Sequence, residues 1–116
     1  QKQVLYLIWY RPWMTVSRAT YIAQLLSLVN WLTPDHGNGL RYPELSSSRF
    51  SANQADLVLF SSEPFPFKKK HVESFHQQFS VDRDRLLFID GEMTSWYGYR
   101  AIEGLRYLRE IALAHR

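Results

Sequence analysis

The fold is decided around one stretch, residues 90–99, which reads Asp-Gly-Glu-Met-Thr-Ser-Trp-Tyr-Gly-Tyr. An apolar run, Leu86 to Ile89, precedes it, and a long amphipathic segment, Arg100 to His115, follows it. This succession predicts a buried strand, an exit loop and a helix. Three aromatic rings and two glycines are crowded into the loop together with acidic side chains. A simple connection needs none of this chemistry, so the loop is a candidate functional segment.

The same succession occurs twice more along the chain. Apolar runs rich in β-branched and aromatic residues predict strands covered on both faces at residues 3–10, 55–60 and 86–90. Apolar residues at helical spacing predict helices at residues 18–29, 69–79 and 99–115. Strands that alternate with helices form a parallel sheet, because parallel neighbours need crossover connections. The expected fold class is α/β: a three-layer sandwich with a mostly parallel central sheet, similar to a Rossmann-like lobe.

The region between the first predicted helix and the second predicted strand is less regular. Trp31-Leu32 fits either a short edge strand or a helix tail, and three serines at 46–48 provide N-caps for a helix of at most two turns through Ala52. Residues 33–39 have turn chemistry. No internal repeat and no low-complexity linker interrupts the chain, so residues 1–116 are expected to form one α/β domain.

Composition limits the classes of protein to which the chain can belong. With 116 residues, 46% hydrophobic and 22% charged, the chain has an ordinary globular composition, and it contains no apolar stretch long enough to span a bilayer. The first residues lack the features of a signal peptide, so we expect a mature protein or a piece of one. The absence of cysteine excludes disulfides and thiolate metal sites without deciding the compartment. The net charge of +3 is scattered apart from Lys68-Lys69-Lys70, which argues against a nucleic-acid partner.

The predicted strands end in three loops that share one character. In an open parallel sheet the ligand crevice lies beyond the carboxyl ends of the strands. The loops at 9–15, 63–67 and 92–97 all carry large rings, and each carries one charge, from Arg11, Glu63 and Glu92. A single ring there is more often core packing, but three such loops on one edge favour a binding surface.

Catalysis has weaker support. Glu63 and Glu92 could act as an acid and base pair, although carboxylates after strands also cap helices. The four histidines lie in turns or helices away from the strand ends, and His36 has no partners at metal-ligand spacing, so a surface turn is expected there. A Gly-rich phosphate loop is missing after the first strand. We therefore expect no catalytic residues, no metal site and no intrinsic cofactor.

Four motifs resemble one protein family, the periplasmic substrate-binding proteins of ABC importers for cobalamin, haem and ferric siderophores. They are Arg-Pro-Trp-Met-Thr-Val-Ser at 11–17, Arg-Tyr-Pro-Glu-Leu-Ser at 41–46, Ala-Asp-Leu-Val-Leu-Phe-Ser-Ser-Glu-Pro-Phe-Pro-Phe at 55–67, and Asp-Gly-Glu-Met-Thr-Ser-Trp-Tyr-Gly at 90–98. The resemblance extends from Lys2 to about Ala112 and covers only the C-terminal lobe of that family. It implies a missing N-terminal lobe, a periplasmic location and a permease partner in the membrane.

The resemblance also assigns residues. In cobalamin-binding relatives, an aromatic residue after the first strand falls on Met14, an aromatic residue before a proline falls on Tyr42, and an acidic residue followed four positions later by an arginine falls on Glu92 and Trp96. Trp96 thus replaces a cation with a ring. The glutamate with which the family docks to its permease falls on Ser48, which points to Glu44 as a substitute.

The leading hypothesis is a lobe that binds a metal chelate, one containing cobalt or iron. Its predicted ligand-binding residues are Arg11, Trp13, Met14, Tyr42, Glu63, Phe65, Glu92, Trp96 and Tyr97. A module that stacks single-stranded nucleic acid or another polyanion on the same rings is the second hypothesis. A small α/β enzyme that uses Glu63 and Glu92 is the third.

Overall fold

A computed structural model of the chain describes residues 1–37, 39–48, 50–95 and 100–115. Within these ranges the strands are Lys2–Trp9 (β1), Met14–Thr15 (β2), Trp31–Leu32 (β3), Leu57–Ser61 (β4) and Leu86–Ile89 (β5). The α-helices are Tyr21–Ser27 (α1), Lys69–Phe79 (α2), Gly91–Ser95 (α3) and Arg100–Ala114 (α4). Two of the 3₁₀ turns, Leu45–Ser47 and Ala52–Gln54, lie between β3 and β4.

The sheet is mostly parallel, as the alternation of strands and helices predicted. Its order is β2-β1-β4-β5, and β3 also pairs with β1. β1 pairs in parallel with β4, from Val4 opposite Leu57 to Leu7 opposite Phe60, and β4 pairs in parallel with β5. β2 is antiparallel to the last residues of β1, whereas β3 is parallel to its first residues. The carboxyl ends of β1, β4 and β5 therefore meet at one edge of the sheet, which we call the exit edge.

Both faces of the sheet are covered, which confirms the predicted three-layer α/β class. On the first face, side chains of β1 and β4 such as Leu5, Leu7 and Phe60 pack with Phe75 of α2. On the second, Val4 and Leu59 pack with Leu26 of α1 and Leu108 of α4. We call these the α2 face and the α4 face. Strands buried on both sides explain why β1 and β4 are nearly continuous apolar runs.

The helices begin and end at residues with suitable capping chemistry. Thr20 Oγ1 accepts the backbone N–H of Ala23 at the start of α1, and Asp90 Oδ1 accepts that of Glu92 at the start of α3. These side chains satisfy donors that a helix leaves unpaired at its first turn. α2 ends at Ser80, whose left-handed backbone lets its N–H reach the carbonyl of His76.

The structure corrects several predicted elements. The helix expected over 46–52 is instead two 3₁₀ turns, because serine side chains bind the local backbone: Ser48 Oγ accepts the N–H of Phe50, and Ser51 and Gln54 form a capping box. Residues 91–95 are helical, not loop, since Asp90 caps them. The two-residue strand β2 was not predicted, and Trp31-Leu32 is a strand, not a helix tail.

Within the described ranges, the helices lack the combination of length and apolar character that crossing a membrane requires.

Candidate functional site at the exit edge

The rings that follow β1 and β4 meet at the exit edge. Trp9 and Phe65 pack edge to face with their ring centres 5.4 Å apart. Phe65 also lies 6.2 Å from the ring of Tyr10 and 5.0 Å from that of His71. Trp9 keeps 42% of its surface exposed although it is a large apolar residue. We call these four residues the aromatic edge, and it joins two of the three exit loops predicted from the sequence.

Arg11 brings a positive charge to this edge. Its guanidinium carbon lies 5.6 Å from the centre of the Tyr10 ring, within the range of a cation–π contact. The side chain of Arg11 is exposed. An exposed cation held beside a ring can contact an anionic group of a ligand without a large loss of rotamer freedom.

Trp13 lies deeper than a binding role would suggest. It is 6% exposed, stacks on Phe67 at 6.1 Å between ring centres, and contacts Phe75 edge to face at 5.2 Å. Its indole N–H donates to Oε1 of Gln78 at 2.9 Å. Its remaining exposure is beside a cavity of about 320 Å³ that Tyr10 and other residues also line. Trp13 is thus a core residue that packs against the aromatic edge through Tyr10.

Met14, Tyr42 and Glu44 come together beside the end of β1. The segment from Arg41 to Leu45 runs along β2: the N–H of Thr15 donates to the carbonyl of Pro43 at 3.0 Å, and Met14 forms an antiparallel bridge with Glu44. Met14 is half-buried, whereas Tyr42 is 47% exposed and Glu44 is exposed. These residues are almost 30 positions apart in sequence, and the unpredicted strand β2 is what aligns them.

Glu63 and Glu92 follow β4 and β5, and the structure brings their loops into contact. Ser62 Oγ accepts the N–H of Gly91 at 2.9 Å. A Cβ atom added at Gly91 would lie 2.9 Å from Cγ of Glu63 and 3.0 Å from its carbonyl oxygen. Glycine at position 91 is therefore required for this close approach. Both glutamates are exposed. The predicted site residues Trp96 and Tyr97 lie outside the described residues.

Below these loops lies a set of buried hydroxyl groups that sequence reasoning missed. The Tyr6 hydroxyl lies 3.2 Å from Oγ of Ser61 and is also hydrogen-bonded to Oγ1 of Thr94. All three residues are almost completely buried. Burial raises the pKa of Tyr6 above its ordinary value, with the hydrogen bonds of Ser61 and Thr94 acting in the opposite direction. We call Tyr6, Ser61 and Thr94 the hydroxyl cluster; it connects β1, the end of β4 and α3.

His71 was expected to lie away from the strand ends, and this was wrong. It is buried in the first turn of α2, and its ring lies 5.4 Å from that of Tyr10. Its Nδ1 accepts the N–H of Lys68 at 2.8 Å. Burial lowers the pKa of His71, and the charges of Lys70 and Lys68 lower it further. The long span from β1 to α2 gave no local pattern that would reveal this contact.

His36 is also buried, which corrects the expected surface position. It is 3% exposed, and its Nδ1 lies 2.6 Å from Oγ of Ser48. Its Nε2 has no partner at hydrogen-bond distance within the described residues. Burial lowers the pKa of His36, partly offset by the backbone of Val16 and by the charge of Asp35. This histidine joins the loop after β3 to the segment that leads into β4.

The described residues contain no group of three or more histidine, aspartate or glutamate side chains arranged to hold a metal ion. A cavity of about 570 Å³ lies at the opposite end of the sheet, beside Lys2, Trp31 and the last turns of α4. The exit edge itself is an open surface of rings and charges. It offers packing and ionic contacts to one side of a bulky ligand.

Comparisons with known proteins agree on the fold. No protein-family model matches the chain, and no curated protein matches it in sequence. Solved structures do match. An ABC transporter substrate-binding protein from Listeria monocytogenes superposes with a TM-score of 0.66 at 19% identity, over 95% of this chain and 46% of that one. A possible iron-binding, periplasmic solute-binding protein from Staphylococcus epidermidis gives 0.68 at 17% identity, over 95% and 44%.

The periplasmic vitamin B12-binding protein of Vibrio cholerae gives a TM-score of 0.67 at 11% identity, over 98% of this chain and 45% of that one. The chain thus spans somewhat less than half the length of these neighbours, as one lobe of such a protein would. The resemblance stated from the sequence motifs is confirmed at the level of the fold.

Proposed function

We propose that this chain is the C-terminal lobe of a two-lobe periplasmic binding protein that delivers a metal chelate to an ABC importer. The chelate class is cobalamin, haem or a ferric siderophore. The observation that carries the proposal is that three exit loops meet on one sheet edge, with described rings from two of the loops and a charged side chain from each. The fold of the chain matches somewhat less than half of each such protein.

The distribution of groups along the edge supports a large ligand with mixed chemistry. Trp9 and Phe65 offer apolar ring surface, and Arg11 offers a cation near β1. Glu63 and Glu92 offer carboxylates near β4 and β5. A ligand that touches both ends would span the width of the sheet. The proposed contacts are Arg11, Met14, Tyr42, Glu63, Phe65, Glu92, Trp96 and Tyr97, with Trp9 added from the structure.

The openness of the edge also fits half of a cleft. A lobe that supplies one wall leaves its ligand surface exposed until a second lobe closes over it. We therefore propose a binding role and not a catalytic one. The exposed Glu44, close to the same edge, is the proposed contact with the permease.

Tryptophan fluorescence tests the proposal on the intact two-lobe protein, titrated with vitamin B12, haem and a ferric siderophore. We expect saturable quenching by at least one of them. Trp9→Phe should remove part of the quenching, whereas Trp31→Phe, a buried ring at the far end of the sheet, should leave it unchanged. Absence of quenching by all three chelates would overturn the proposal. An unchanged affinity in Trp96→Ala would remove that residue from the site.

Two further measurements separate this function from the alternatives. The lobe alone should bind the same chelate more weakly than the intact protein, because the contacts of the other lobe are missing. Binding should also change little between low and high salt. A steep decrease with salt would favour the polyanion hypothesis, in which Lys68-Lys69-Lys70 contact phosphates.

A further inference from the structure

The hydroxyl cluster lies directly beneath the part of the exit edge that carries Glu63 and Glu92. Tyr6 belongs to β1, Ser61 is the last residue of β4, and Thr94 is in α3. Ser61 Oγ donates to the carbonyl of Glu63 at 2.6 Å and accepts from the Tyr6 hydroxyl. The single proton of Thr94 Oγ1 is shared between the Tyr6 hydroxyl and the carbonyl of Gly91, which is 3.2 Å away. The Tyr6 hydroxyl therefore joins two groups that each hold the backbone of one glutamate-bearing loop.

Other contacts also place α3, whose described residues are Gly91 to Ser95. The N–H of Gly91 donates to Oγ of Ser62, and α3 packs against α1 and α4. Its backbone approaches α4 closely, since a Cβ added at Gly104 would collide with the carbonyl of Met93. Thr94 of α3 is hydrogen-bonded to Tyr6 of β1, and Gly91 lies against Ser61 and Glu63 at the end of β4. A hydrogen bond is directional, so it specifies the orientation of α3 as well as its contact with the sheet.

We propose that Tyr6 is a positioning residue for the binding edge: its hydroxyl sets α3 and Glu92 relative to the β4 exit loop and Glu63. This inference rests on the proposed function, in which the exit edge is a ligand-binding surface. The link can be removed without leaving Ser61 or Thr94 unsatisfied, because each of those hydroxyls has a backbone carbonyl of its own. Tyr6→Phe therefore removes one connection and keeps the ring, the packing and the remaining hydrogen bonds.

The first test measures the position of α3 without a ligand, by amide hydrogen exchange followed by NMR. In Tyr6→Phe we expect the amides of Gly91 and Glu92 to exchange about tenfold faster, while that of Phe75 in α2 is unchanged. Thr94→Val should accelerate exchange of the same amides, because it removes the Tyr6–Thr94 link together with the bond from Thr94 to the carbonyl of Gly91. The effect of the double variant should be smaller than the sum of the two single effects, because both variants remove that link.

Thr15→Val is the matched control, since it removes another buried hydroxyl bond, from Thr15 Oγ1 to the carbonyl of Tyr6 at 2.8 Å. It should lower the unfolding midpoint without a selective effect on Gly91 and Glu92. The inference would be overturned if Tyr6→Phe accelerated the exchange of all amides equally, or if it left Gly91 and Glu92 unaffected. Either result would make Tyr6 an ordinary core residue.

The second test uses vitamin B12, haem and a ferric siderophore as probes. Any of them that the intact wild-type protein binds should bind about tenfold more weakly to Tyr6→Phe and with unchanged affinity to Thr15→Val. Equal affinities in wild type and Tyr6→Phe would contradict the positioning role at the binding edge. If the wild-type protein binds none of the three, the proposed function fails, and the exchange experiment alone decides whether Tyr6 positions α3.

Discussion

The two faces of the sheet are held together differently at the exit edge. On the α2 face, Trp13, Phe60, Phe67 and Phe75 pack against one another with ring centres 5.2 to 6.4 Å apart. On the α4 face, the corresponding position is taken by the hydroxyl cluster. Apolar packing has little directional preference, whereas a hydrogen bond specifies an orientation. At this edge the α2 face therefore contributes apolar packing, and on the α4 face the proposed role of the hydroxyl cluster is to orient α3.

The largest effect is expected on the α2 face. Phe75→Ala removes a fully buried ring that contacts Trp13, Phe60 and Phe79. We expect the free energy of unfolding to decrease by about 3–5 kcal/mol. Urea denaturation measures this, and Phe88→Ala is the matched control, because Phe88 is 55% exposed and should cost less than about 1 kcal/mol. Equal losses in the two variants would show that the ring cluster is not the main source of stability.

On the α4 face, a change at Gly91 tests the placement of α3. Gly91→Ala places a methyl group against Oγ of Ser61 and against Glu63, so α3 must move away from β4. We expect a loss of about 1–3 kcal/mol, as for an overpacked core, with faster exchange of the amides around Thr94. Gly39→Ala is the comparison: its backbone φ is +72° but it has open space around it, so the cost there is backbone strain alone. If the amides around Thr94 exchanged at the wild-type rate in Gly91→Ala, the proposed difference between the two faces would be contradicted.

The buried His36, in the loop after β3, predicts a pH dependence of stability. Burial lowers the pKa of His36 below its ordinary value of 6.5. The unfolded chain therefore binds more protons between the folded pKa and 6.5, and stability must decrease as pH falls through this window. Arg18 and Asp35 are the charged groups that act on the ring.

Unfolding by urea at a series of pH values checks this. His36→Asn keeps a polar group near Ser48 but cannot titrate, so its stability should approach that of wild type as pH falls below 6.5. A difference between the two proteins that is constant with pH would show that burial of His36 is not linked to protonation.

The smallest effect on stability is expected at the aromatic edge itself. Trp9 contacts Phe65 but is partly exposed, so Trp9→Ala should cost about 1 kcal/mol or less in urea denaturation. Its effect on chelate binding should be much larger than its effect on stability. A loss of several kcal/mol would place Trp9 in the core with Trp13 and remove the distinction between the supporting rings and the exposed ones.

Sequence patterns predicted the parts of this fold that depend on burial along one element. β1, β4 and β5 were predicted because they are nearly continuous apolar runs, and α2 was predicted because its apolar residues repeat at helical spacing. The two-residue strand β2 has no such period, and yet it aligns Met14 with Glu44. The short helix expected after residue 45 does not form, because serine side chains hydrogen-bond the local backbone in its place. The number of possible N-caps in the sequence does not reveal this competition.

For the candidate site, the sequence predicts a location. The rule that ligands bind beyond the carboxyl ends of parallel strands led to Arg11, Phe65, Glu63 and Glu92. Burial of individual side chains could not be derived, so the buried Trp13 was included among the predicted ligand-binding residues and the exposed Trp9 was not. His36 was treated as a surface residue for the same reason. The hydroxyl cluster was missed for a related reason. Its members are 55 and 88 positions from Tyr6, and each looks unremarkable in its own segment.

The arrangement of strands around β1 also limits self-association. On the side of β1 away from β4, β3 pairs with the first residues of β1 and β2 pairs with its last residues. The segment from Arg41 to Leu45 runs along β2. At the opposite edge of the sheet, β5 has four residues in the described chain. Short or covered edges give a foreign strand little backbone to pair with. We therefore expect the strands that shape the exit edge to hinder the pairing of this sheet with a second copy as well.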